Sequence, residues 1–166
     1  DIEGEKMTRE IMKRMKFSNA EIDRNARLVK YHMFYFPTVG DDASKQEVEE
    51  YEAKKWTDSA VRRFISRVGE ENLDDLFKLR IADAISNPKT AFTPKEIELL
   101  QERISEVREK DTALNITDLV IDGNDLHRIG VEKGPKMGEI LNKLLEIVIE
   151  DPGMNDKEKL ENTVKD

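Results

Sequence analysis

Five cations crowd one short stretch of this chain: Lys54, Lys55, Arg62, Arg63 and Arg67, with Trp56 and Phe64 among them. Guanidinium and ammonium groups neutralise a phosphate backbone, and an aromatic ring can stack on an unpaired base. The same pattern also describes an ordinary amphipathic helix with solvated cations. A second candidate is Gly134-Pro135-Lys136, preceded by Lys133. A helix starting there offers free amides and the positive end of its dipole to a phosphate. The plain alternative is only a good helix N-terminus. Metal chemistry would have to rest on His32 and Asp83. His32 reads first as a half-buried histidine satisfied by a nearby carbonyl or carboxylate, and Asp83 as a partner of Arg80 or of a helix N-terminus. His127 reads as a surface residue, and Glu47, Glu49, Glu50 and Glu52 as a solvated face.

Several chemistries have no residues to carry them. The chain has no cysteine, which removes disulfides and thiolate ligands or nucleophiles. No phosphate loop, G-x-S-x-G or H-E-x-x-H motif occurs. No Asp-x-Asp pair is present, so a strand-borne two-metal site lacks its carboxylates. No long apolar run suggests a membrane span or signal peptide, and the expectation is a cytoplasmic protein that needs no membrane.

The 166 residues suit one domain or two small helical units, and 39% of them are charged, against roughly 25% in an average domain. The 28 basic and 36 acidic residues leave a net charge of −8, which argues against coating nucleic acid by bulk charge. The imbalance is uneven. Up to Asp83 there are 16 basic and 18 acidic residues; beyond it there are 12 and 18. A local contact with RNA therefore stays open.

Helices must position these groups. Residues 2–16 place Met7, Ile11, Met12 and Met15 on one face. Ser18-Asn19-Ala20-Glu21 is a capping box that starts a second helix carrying Ile22, Ala26, Val29 and Met33, with its end expected near Tyr35 before Pro37. Residues 37–55 read as a long polar surface loop with one helical turn at most. Thr57 and Asp58 cap the helix of the arginines, and Gly69 ends it by a left-handed turn. A helix over residues 72–85 and another opened by Thr93-Pro94 follow. Ile116 to Ile121 is short and β-branched. Asp122 caps a short helix closed by Gly130. The next helix, from Gly134-Pro135, has the broadest apolar face, with Leu144, Leu145, Val148 and Ile149. Asp156 caps the last. The expected fold is all-α, about eight helices in an irregular array, divided into a body over residues 1–87 and a tail over residues 88–166. The chain begins at Asp1 without an initiator Met, as a piece of a longer protein would.

Several strings, in order, resemble a known family. They are Phe17-Ser18-Asn19 with Leu28-Val29-Lys30-Tyr31-His32-Met33, then Trp56-Thr57-Asp58-Ser59-Ala60-Val61-Arg62-Arg63-Phe64, Arg67-Val68-Gly69, Leu73-Asp74-Asp75-Leu76-Phe77 and Leu79-Arg80-Ile81-Ala82-Asp83. Ile121-Asp122-Gly123-Asn124-Asp125-Leu126, Gly130, Gly134-Pro135, Gly138 and Leu141 complete the order. The whole resembles the C-terminal helical half of bacterial tRNA nucleotidyltransferases: CCA-adding enzymes, A-adding enzymes and the related poly(A) polymerases. The resemblance implies HD-like N-terminal helices followed by a helical tail that holds tRNA. It implies a catalytic head, absent from this chain, that uses Mg²⁺ with CTP and ATP, and no cofactor for the part present. This chain alone would add no nucleotides. Asp83 matches the distant Asp of the HD pattern, whose His-Asp pair would lie before Asp1, so Asp83 and His32 would be a degenerate metal site. Two other readings stand beside this one. The chain could be a remnant HD-type phosphohydrolase, or a helical interaction module forming a homo-oligomer through the apolar face between Met137 and Ile149.

Overall fold

The computed structural model describes residues 2–40, 42–87, 94–110 and 113–165. Its α-helices are α1 (Ile2–Arg14), α2 (Asn19–Tyr31), α3 (Lys45–Lys54), α4 (Asp58–Val68), α5 (Leu73–Ser86), α6 (Pro94–Arg108), α7 (Gly123–Arg128), α8 (Pro135–Glu150) and α9 (Lys157–Lys165). No strand occurs among the described residues, so the fold is all-α. No described helix is long and apolar enough to cross a membrane. Thr93, expected to open the helix at Pro94, lies outside the described residues. The chain packs as two compact units. One holds Asp1–Trp56 and Arg67–Arg103, the other Thr57–Ser66 and Ile104–Asp166.

In the first unit α1 lies along α2, and α2 packs on α5. The capping box forms: the Ser18 hydroxyl accepts from the Glu21 amide at 3.3 Å, and the Glu21 carboxylate accepts from the Ser18 amide at 2.9 Å. α1 buries no residue, and Met7 and Met15 are 53% and 63% exposed. Its attachment to α2 includes ion pairs of Glu5 with Lys30 and of Arg9 with Asp23. α2 stops at Tyr31, earlier than expected, with the His32 amide donating to the Leu28 carbonyl. Leaving the helix there lets alternate residues turn inward. Phe34 and Phe36 are buried, and their rings meet Phe77 and Trp56 edge-on at 6.1 and 5.5 Å. Met33, expected on the apolar stripe, is left exposed.

The expected loop over residues 37–55 is half helix. Ser44 and Glu47 form a second reciprocal cap that opens α3. Its four glutamates are all exposed, in line with a solvated face. Gly69 does end α4, but at φ 85° and ψ 129°, outside the left-handed helical region expected for it.

The second unit has one core of Ala113, Leu119, Ile121, Leu126, Leu144, Leu145, Val148, Ile149 and Leu160, with Met137, Ile140 and Leu141 packed at its edge. The broad apolar face of α8 is thus consumed inside its own unit. The β-branched run from Ile116 forms a 3-10 turn rather than a strand. The Asn155 side chain meets its backbone needs, accepting from the Val120 amide and donating to the Asp118 carbonyl, both at 3.0 Å. Asp122 caps α7 through the amides of Asn124 and Asp125 at 2.8 and 3.0 Å. Gly130, at φ 101°, closes it in a Schellman turn: its amide donates to His127 and that of Val131 to Leu126, both at 3.0 Å.

Candidate nucleic-acid interface

α4 displays the three arginines because Thr57 caps its start, its hydroxyl accepting from the Ala60 amide at 3.2 Å. The arginines then meet different fates. Arg62 is 5% exposed. Its Nε donates to the Ile149 carbonyl at 2.7 Å and Nη2 to the Glu150 carbonyl at 3.3 Å, so it caps the C-terminus of α8. Burial lowers its pKa, opposed by the nearby Asp58 carboxylate. This departs from the expected RNA contact: the guanidinium satisfies helix carbonyls that would otherwise lie without partners. Arg63 pairs with Glu150.

Arg67 is exposed, and no hydrogen-bond or ion-pair partner is found for it among the described residues. It lines a cleft of about 220 Å³ with Glu5, Arg9, Arg27, Lys30 and Tyr31, all in the first unit. Lys54 and Lys55 sit at the end of α3, paired with Glu50 and Glu52. Trp56 is half-buried, with its ring edge-on to Phe36 at 5.5 Å. Lys133 and Lys136 flank the start of α8, exposed and without a partner among the described residues.

The sequence pattern missed Arg27. Arg27, Lys30 and Tyr31 are three and four residues apart on α2, a spacing that puts all three on one face. That signal was present beside the motif residues, but nothing local to α2 announces Arg67 as its neighbour.

His32 Nδ1 lies 2.7 Å from the Val29 carbonyl, and Asp83 pairs with Arg80 at 3.5 Å. Among the described residues no group of three His, Asp or Glu side chains is arranged to hold a metal ion. His127 is exposed, its Nδ1 3.3 Å from the Val131 carbonyl.

Comparison with known proteins bears on this arrangement. The chain is 30% identical over 147 residues to an A-adding tRNA nucleotidyltransferase of Deinococcus radiodurans, a match that covers 86% of this chain and 29% of that protein. The chain thus spans less than a third of that relative's length. No solved structure matches it. The family described as tRNA nucleotidyltransferase domain 2 matches residues 2–164, which takes in both compact units and every described helix but the last residue of α9. With a match of that extent, the chain belongs to the tRNA nucleotidyltransferase domain 2 family.

Proposed function

We propose that this chain is the tRNA-holding helical part of an enzyme that adds A, or CCA, to tRNA 3′ ends. The nucleotide chemistry, with Mg²⁺ and CTP or ATP, belongs to a catalytic head outside these residues, in the cytoplasm where tRNA is matured. The observation that carries this reading is the family match across residues 2–164. The name of the Deinococcus radiodurans relative favours A addition.

The charge distribution supports it. A chain of net charge −8 repels RNA as a whole, so it needs local cations not already neutralised. Arg27, Arg67, Lys133 and Lys136 meet that condition. The phosphohydrolase reading has less support, because among the described residues no three His, Asp or Glu side chains come together as a metal site would need. Self-association through the α8 face is disfavoured by the burial of Leu144, Leu145, Val148 and Ile149.

The test is retention of tRNA by the purified chain across a salt series. Binding should weaken with salt, log K falling by about 0.7 to 0.9 per log unit of salt for each phosphate contacted. Absence of tRNA binding at low salt overturns the proposal.

A further inference from the structure

The cleft between α1, α2 and the end of α4 is built from four cations and one carboxylate: Arg9, Arg27, Lys30 and Arg67 around Glu5, with Tyr31 at its wall. Internal ion pairs account for only part of this charge. Glu5 accepts from Lys30 at 3.1 Å and from Arg9 at 3.3 Å, and Arg9 also reaches Asp23. These pairs organise the floor. Arg27 and Arg67 line the same cleft, yet neither has a hydrogen-bond or ion-pair partner among the described residues. They come from α2 and α4, far apart in sequence, and converge in the tertiary fold of a strongly acidic chain. Both side chains are exposed, so an anion entering the cleft meets two guanidiniums at once. Planar guanidinium forks suit a phosphate's oxygens.

The size narrows the ligand. About 220 Å³ has room for one phosphate group with part of its sugar. The lining is almost wholly polar, and the Lys30 ammonium sits 5.5 Å from the centroid of the Tyr31 ring. We infer that this cleft docks one phosphodiester of the tRNA backbone, gripped by Arg27 and Arg67. This inference rests on the tRNA reading above and names a site within it.

The test uses the chain with Arg27→Gln and Arg67→Gln combined, and Lys143→Gln as a control for one exposed charge on α8. Far-UV signal and denaturation midpoint confirm that the variants fold. The expected result for the double variant is a log K against log salt slope smaller by about 0.9 than that of the wild type. With binding equal near 1 M salt, that slope gives roughly an eightfold weaker affinity at 0.1 M. Lys143→Gln should keep the wild-type slope. If wild type binds tRNA and the double variant behaves like Lys143→Gln, the cleft assignment is overturned while the tRNA reading stands. If wild type binds no tRNA, both fall. A parallel titration with inorganic phosphate separates the sources: a double variant that loses phosphate binding but keeps its tRNA slope marks a free-anion site and overturns RNA docking.

Discussion

Replacing Arg62 with methionine keeps much of the side chain's length and apolar stem but removes the guanidinium that closes α8. Two carbonyls then lose their donor: Ile149, previously bonded at 2.7 Å, and Glu150 at 3.3 Å. A net hydrogen bond from a charged donor is worth about 1.5–3 kcal/mol, and the longer bond contributes at the lower end. A cation at a helix C-terminus adds about 0.3–1 kcal/mol through the dipole. Against this, methionine escapes the desolvation that lowers the Arg62 pKa, which recovers part of the loss. The balance is a destabilisation of about 2–3 kcal/mol. For a chain of this length each kcal/mol shifts Tm by about 2–4 °C, so Arg62→Met should melt roughly 4–12 °C below wild type. Arg62→Lys keeps the charge but lacks the fork, and should fall between them. Urea unfolding followed by far-UV circular dichroism gives the free energies, and thermal melts give the midpoints. A loss within about 0.5 kcal/mol for Arg62→Met, the range of ordinary surface substitutions, would show that the guanidinium is not holding the helix end. The second readout is tRNA binding below the melting range. A buried Arg62 should leave the salt slope unchanged, and a slope reduced by about 0.9 would mean that it reaches phosphate after all.

Two further outcomes follow from the packing. Asp125 receives Lys157 at 2.8 Å, the Asp122 amide at 3.1 Å and the Arg128 guanidinium, and these hold its pKa down at about 2 from the ordinary 3.8. A folded-state pKa below the unfolded one gives stability that is complete above about pH 4 and lost as pH falls toward 2. Asp125→Asn should therefore melt below wild type at neutral pH, with the gap closing on acidification; a gap constant from pH 7 to 2 would refute the assignment. At Gly69, with φ 85°, a Cβ would stand 2.6 Å from the Glu71 carboxylate and 2.9 Å from the Asn72 amide nitrogen. Gly69→Ala should cost about 1–3 kcal/mol through backbone strain, and an unchanged urea midpoint would count against that backbone geometry.

Much of the fold was legible because helix boundaries are written locally. Ser18 with Glu21, Asp122 with Asp125, Pro135, Asp156 and Gly130 each act within a few residues, so the helix ends they set follow from spacing alone. Ser44 with Glu47 carried the same signal, but α3 lacks the apolar stripe that makes a helix visible, and its polar length read as a loop.

The interface was legible only in part. The amino-acid sequence by itself determined that the chain is all-helical, that it has no thiol chemistry, and that its arginines gather on α4. It could not determine what each arginine does. Arg62 and Arg67 are five residues apart on one helix, yet one closes the end of α8 and the other enters a cleft with Arg27. That difference depends on contacts with residues dozens of positions away, and local periodicity holds no information about them. The same holds for α1, whose apolar stripe has the spacing of a core face but buries no residue. Spacing decides which side chains share a helical face; tertiary packing decides whether that face meets a core, a helix terminus or solvent.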